Sequence, residues 1–211
     1  LSLHDALPIS GERNGIRVEQ LAFVPNGENA EIHRLKIKNT SDAKKDFKLF
    51  SFIEWCLWDA QDDTTNFQRN FSTGEVEIVG STIYHKTEYK ERRNHYAFYS
   101  VNVPVDGYDT DRDSFVGLYN GFEAPDSVMK GECKNSVASG WSPVAAHQIN
   151  VELAPGEEKV FVFTLGYIEN PQDEKWESKG IINKKPAEAL MSRFATDEAV
   201  EAAFAALKGS W

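Results

Sequence analysis

The stretch 147–167, "HQINVELAPGEEKVFVFTLGY", decides the fold. His147, Ile149, Val151 and Leu153 alternate with Gln148, Asn150 and Glu152, the period of a strand with one buried face. "APGEE" then turns the chain, with Pro155 and Gly156 suited to the central positions of a type II turn. The returning "KVFVFTLGY" is apolar on both faces, as a strand deep in a sandwich must be. The two strands are expected to pair as a hairpin.

Working outward, the same alternation extends from near Gly15 almost to Tyr167. Leu35 and Ile37 alternate with Lys36 and Lys38, "NTSDAKK" breaks the pattern, and "DFKLFSFIEWCLW" restores it with apolar residues on both faces. This predicts a second antiparallel pair whose later strand is central. "GEVEIVGSTIYHK", "NHYAFYSVNV" and "SFVGLYNG" add shorter strands at the spacing of a β-sandwich. Helical periodicity comes last. One helix is expected from Asn183 to about Phe194, and Thr196 is placed to cap a second, with Asp197 and Glu198 in its first turn and Gly209 at its end. The fold class expected is all-β, an antiparallel β-sandwich with a C-terminal helical tail.

Composition bounds the function. With 211 residues, 41% hydrophobic and 12% aromatic, the chain has ample material for one sizeable core. A formal charge of -10 argues against a nucleic-acid binder, which needs a basic face. No run of eighteen apolar residues occurs, so no membrane span is expected. Cys56 and Cys133 stand far apart in dissimilar contexts and are expected to be unlinked thiols, which fits a reducing, cytoplasmic compartment. The chain opens on Leu1 and "LSLHDALPIS" has no basic start, so this opening reads as that of a fragment without a signal peptide.

Most candidate sites have an ordinary explanation. Asp59, Asp62 and Asp63 supply carboxylates, but neighbouring acids in a loop are normally solvated and no second cluster completes a catalytic pair. His4, His33, His85, His95 and His147 show none of the close spacings that put two ligands on one metal. Cys56 lies in a strand pattern, where packing explains it better than thiol chemistry. Arg92 and Arg93 in "ERRNHY" suit an anion or simply a charged strand edge. The loop "TTNFQRNF" is richer. Gln68 and Arg69, with Asn66, Asn70, Phe67 and Phe71, combine planar hydrogen-bonding groups with rings that cover the apolar face of a sugar. A loop satisfying its own backbone uses similar residues, and composition leaves both readings open.

A resemblance separates them. The run "LFSFIEWCLWDAQDDTTNFQRNFSTGEVEIVGSTIYHKTEYKERRNHYAFYSVN", with "GYDTDRDSFVGLYNGF", "NSVASGWSPVAAH", "LAPGEEK" and "LGYIENPQDEKWESKGIINK", resembles the amino-terminal β-supersandwich domain of the cellobiose phosphorylases, inverting glycoside phosphorylases of glycoside hydrolase family 94. The resemblance implies a galactose mutarotase-like supersandwich over 14–182, incomplete at its start, then a helical linker over 183–211 toward a catalytic (α/α)6 barrel; residues 1–13 do not share it. It also implies phosphorolysis of cellobiose to α-glucose 1-phosphate and glucose with inversion. Inorganic phosphate is the co-substrate, and no metal or organic cofactor takes part. The general acid, an Asp, and the phosphate site belong to the barrel, so this chain alone is expected to be inactive. Gln68 and Arg69 match the loop pair that binds the leaving glucose. The implied partners are a β-linked glucose disaccharide, glucose, the barrel and a second subunit of a homodimer, with no nucleic acid and no membrane. An autonomous carbohydrate-binding or interaction module is the alternative reading.

Overall fold

The computed structural model describes residues 8–55, 74–87, 94–138 and 143–210. In chain order the strands are β1 (Ile9–Arg13), β2 (Ile16–Phe23), β3 (Ala30–Asn39), β4 (Lys45–Glu54), β5 (Gly74–Val79), β6 (Thr82–Thr87), β7 (His95–Val101), β8 (Gly107–Asp111), β9 (Pro143–Leu153), β10 (Glu158–Glu169), β11 (Trp176–Ser178) and β12 (Ile181–Ile182). The helices are α1 (Arg112–Val116), α2 (Asp126–Lys130), α3 (Lys185–Arg193) and α4 (Asp197–Gly209). A seven-stranded sheet has the order β1-β2-β3-β10-β7-β6-β5, and a three-stranded sheet the order β4-β9-β8. The strand pairs are antiparallel. The all-β sandwich expected from the alternation is therefore the fold.

The strands pair differently from the sequence expectation. β9 and β10 do not form a hairpin: β9 lies between β4 and β8 in the small sheet, and β10 between β3 and β7 in the large one. The turn between them has the expected chemistry, with Gly156 at φ 78° and the Glu157 amide donating to the Ala154 carbonyl at 3.0 Å. It carries the chain from one sheet to the other. β3 and β4 likewise cross between sheets instead of pairing, and β4 is an edge strand where a central one was expected. Asn39 clips the two crossings together. Fully buried, it donates from Nδ2 to the carbonyls of Ala43 (2.7 Å), Leu153 (3.1 Å) and Ala154 (3.1 Å), while its Oδ1 accepts from Ser41. Its own amide donates to the Glu157 carbonyl at 2.9 Å.

Two further differences have local causes. The strands begin at Ile9, before Gly15, because Asn14 and Gly15 adopt φ 53° and 72° and pair Arg13 with Ile16. Asn-Gly is the natural filling of such a two-residue hairpin turn. "SFVGLYNG" contributes to a helix, where a strand was expected: Asp111 caps α1, accepting from the Ser114 amide at 2.8 Å, and Gly117 ends it. The short helices α1 and α2 cover the outer face of the small sheet. There Phe52 stacks on Phe115 with ring centroids 5.0 Å apart, in a cluster that includes Cys133. The fully buried Asp109 holds that lobe, accepting from Ser127 Oγ, the Lys134 amide and both the amide and hydroxyl of Ser136.

Three apolar layers result. Between the sheets Ile37, Tyr99, Val101, Phe161 and Phe163 meet Ile149, Val151 and Leu153. On the far side of the large sheet, Leu21, Ile32, Phe98 and Val162 meet Leu190, Phe194, Val200 and Phe204 of the C-terminal helices. Thr196 caps α4 as expected, accepting from the Ala199 amide at 3.3 Å. The β11–β12 hairpin is held against β5 and β6 by hydrogen bonds: Lys86 Nζ, paired with Glu75 and Glu77, donates to the Gly180 carbonyl at 2.6 Å, and the Ile182 amide donates to Glu77 at 3.2 Å.

Candidate functional site

Strand direction gathers the chemistry at one end of the sandwich. The C-terminal ends of β4, β6 and β8 lie there with the N-terminal ends of β5, β7 and β9, as the pairs Glu54↔Val144, Gly74↔Thr87 and Lys86↔Tyr96 require. The flanks of 56–73, 88–93 and 139–142 therefore meet at this end. Gln68 and Arg69 belong to the first of these segments and lie outside the described residues, as do Asn66, Phe67, Asn70, Phe71, Asp59, Asp62, Asp63 and Cys56. Arg92 and Arg93 of the second segment and His4 also lie outside them.

The described residues at this end form a rigid stem. Trp55, 5% exposed, stacks on His85 of β6 at 5.5 Å between ring centroids, 29° from parallel. This contact joins the small sheet to the large one where 56–73 departs. Glu54 accepts from Arg112 Nε at 2.7 Å, and that guanidinium lies 5.4 Å from the centre of the Phe122 ring. The α1 lobe is thereby fixed to the end of β4. On the large sheet His95 packs against Tyr167 at 5.4 Å, and its Nε2 stands 3.4 Å from Glu169. Of these groups, the Trp55–His85 stack and the Glu54–Arg112 pair were missed by sequence reading. Their partners are far apart in the chain, and no spacing marks them.

The electrostatics suit support more than proton transfer. Burial pulls the His85 imidazole down to about 4, so it is neutral at pH 7, and neither of its nitrogens has a hydrogen-bond partner among the described residues. His147, between the sheets, is also pulled down to about 4 by burial; its Nδ1 lies 3.1 Å from Ser51 Oγ and its ring stacks on Tyr99 at 5.1 Å. Burial pushes the Tyr99 phenol up to about 12. Cys133 is a free thiol, pushed up by burial and therefore inert. Among the described residues, no three His, Cys, Asp or Glu side chains are grouped to hold a metal ion. No helix among them is long and apolar enough to cross a membrane.

The comparisons with known proteins agree with this architecture. Residues 4–197 match the family model described as the glycosyl hydrolase 94 supersandwich domain. N,N'-diacetylchitobiose phosphorylase of Vibrio proteolyticus is 33% identical over 202 residues, covering 94% of this chain and 23% of its own length. The enzyme of the same name from Vibrio furnissii is 28% identical over 204 residues, again covering 94% and 23%. Solabiose phosphorylase of Paenibacillus borealis is 26% identical over 157 residues, covering 72% of this chain and 20% of its own. The chain thus spans under a quarter of the length of these relatives. It belongs to glycoside hydrolase family 94, as that family's supersandwich domain.

Proposed function

We propose that this domain serves a glycoside phosphorylase, in which it helps to hold the acceptor sugar. The observation that carries the reading is the 33% identity over nearly the whole chain to a relative named a phosphorylase. In the proposed reaction an oxygen of inorganic phosphate bonds to the anomeric carbon of a β-linked disaccharide with inversion. The glycosidic C–O bond breaks, and a carboxylic acid of a following (α/α)6 barrel gives its proton to the leaving oxygen. Because phosphate is the nucleophile, the second carboxylate of an inverting hydrolase is unnecessary, and no metal or organic cofactor takes part. Gln68 and Arg69 bind the sugar that leaves. What supports this role is the resemblance of the "NFQRN" loop to the pair that binds the leaving glucose in the cellobiose phosphorylases.

Cellobiose is the substrate that the sequence resemblance favours, and the enzyme works as a homodimer. The names of the relatives span N,N'-diacetylchitobiose and solabiose, so the sugar is the variable part of this reading. The experiment supplies the complete enzyme with phosphate and either cellobiose or N,N'-diacetylchitobiose, beside the 211-residue chain alone. Sugar 1-phosphate should appear with the complete enzyme, fastest from cellobiose, and not with the chain alone. Phosphorolysis by the chain alone overturns the division of labour. Sugar binding by the complete protein without phosphorolysis overturns the enzyme reading in favour of a carbohydrate-binding module.

A further inference from the structure

On the outer face of the large sheet, beneath the last turn of α3, lies a cavity of about 170 Å³. Thr164 is five residues from Glu169 at the loop end of β10, about 17 Å along a strand, so the cavity is separate from the stem described above. Thr82, Ser100 and Thr164 line it and stand in register: Thr82 faces Ser100 across β6 and β7, and Ser100 faces Thr164 across β7 and β10. Adjacent strands lie about 4.8 Å apart, so the three residues form a straight row at that spacing. They are 8%, 5% and 3% exposed. Thr82 Oγ1 donates to Met191 Sδ at 3.6 Å, and Ser100 and Thr164 line the same volume. A row of three hydroxyl side chains along one wall offers a molecule in this volume hydrogen-bonding groups at fixed spacing.

The lining also specifies what kind of partner fits. It carries no charged side chain, and a charged ligand would lose its hydration without compensation. Each hydroxyl both donates and accepts, the pattern that a ligand hydroxyl answers. Met191 and Phe194, at the C-terminal end of α3, and Val162, beside Thr164 on the same face of β10, supply apolar surface for C–H groups. An engineered cavity of about 150 Å³ admits a six-membered ring, and this volume is slightly larger. Asn102 keeps the walls in place, its Oδ1 accepting from the Val162 amide at 2.9 Å and its Nδ2 donating to the Ala195 carbonyl at 3.0 Å.

We propose that this cavity binds one small neutral polyol, the size of a single sugar ring. Ser100 and Thr164 exchange hydrogen bonds with its hydroxyls, Phe194 and Met191 lie along its C–H face, and occupancy braces α3 against the sheet. The proposal does not depend on the phosphorylase reading, and its test needs no activity. D-glucose is titrated into the 15N-labelled chain. Saturable amide shifts are expected at Ser100, Thr164 and residues 191–195, with an affinity of about the millimolar range usual for one small polar ligand. Ser100→Ala combined with Thr164→Val keeps the shape of the row and removes two of its three hydroxyls, and should weaken binding about tenfold or more. Ser100→Ala alone provides a milder variant, expected to weaken binding less, should the double variant fold poorly. Absence of saturable shifts, shifts confined to other residues, or parental affinity in a folded variant overturns the proposal.

Discussion

At the scale of the residue, two kinds of buried polar group behave differently. Asn39 is fully satisfied and closes carbonyls on both crossings between the sheets. Asn39→Ala should therefore cost about 2–3 kcal/mol, since it strands several buried carbonyls at once, and a urea titration will show this as a lower midpoint at unchanged slope. His85 and His147 are buried uncharged, each pulled from 6.5 to about 4. Above pH 6.5 both are neutral whether the chain is folded or unfolded, and stability does not depend on them. Between pH 6.5 and about 4 the unfolded chain binds protons that the folded chain refuses, so stability falls with pH by up to about 1.4 kcal/mol per unit for each histidine. His85→Phe keeps the stack on Trp55 and should roughly halve that slope, measured by denaturant titration at a series of pH values. A slope unchanged by the substitution would contradict the assignment. Sequence alone showed these histidines as scattered and non-metallic, but not that they were buried between sheets, because burial depends on which strand faces which.

At the scale of the element, alternation was legible and partnership was not. The run from His147 to Leu153 shows which side of a strand is apolar, and Ala154–Glu157 shows that the chain turns. A hairpin turn and a crossing between sheets use the same Pro-Gly chemistry, so the turn residues cannot tell them apart. The helices were easier because their limits are chemical: Thr196 supplies the cap, and Asp197 with Glu198 follows. What the cap does not reveal is how α4 is docked. Arg34 of β3, 2% exposed, donates to Glu19 at 3.1 Å, to Asp197 at 3.0 Å and to Glu201, while Lys36 reaches Asp197 at 2.9 Å. Burial raises the Asp197 carboxyl, but hydrogen bonds from Lys36 and Arg34 bring it below its ordinary range. Arg34→Met should destabilise the protein by about 2–3 kcal/mol, less than a fully buried pair would cost because Glu201 stays half exposed. Amide hydrogen exchange should quicken in α4 more than in β9, and uniform quickening would contradict a local latch.

At the scale of the whole molecule, the proposed function assigns an acceptor sugar to Gln68 and Arg69. For "NFQRN" composition left two readings open, and the family resemblance decided between them. The stem was not legible, since it combines Trp55, His85, Glu54 and Arg112 from separate strands and a helix. The most direct measurement is steady-state kinetics of the complete enzyme carrying Arg69→Ala, in the synthetic direction, with glucose and α-glucose 1-phosphate varied in turn. Loss of a charge-assisted hydrogen bond worth about 1.5–3 kcal/mol should raise the KM for glucose by roughly ten- to a hundred-fold. The KM for glucose 1-phosphate should change far less, and the melting temperature should stay near the parent's. A glucose KM equal to that of the parent, with a lowered melting temperature, would contradict the account and leave "NFQRN" as a structural turn.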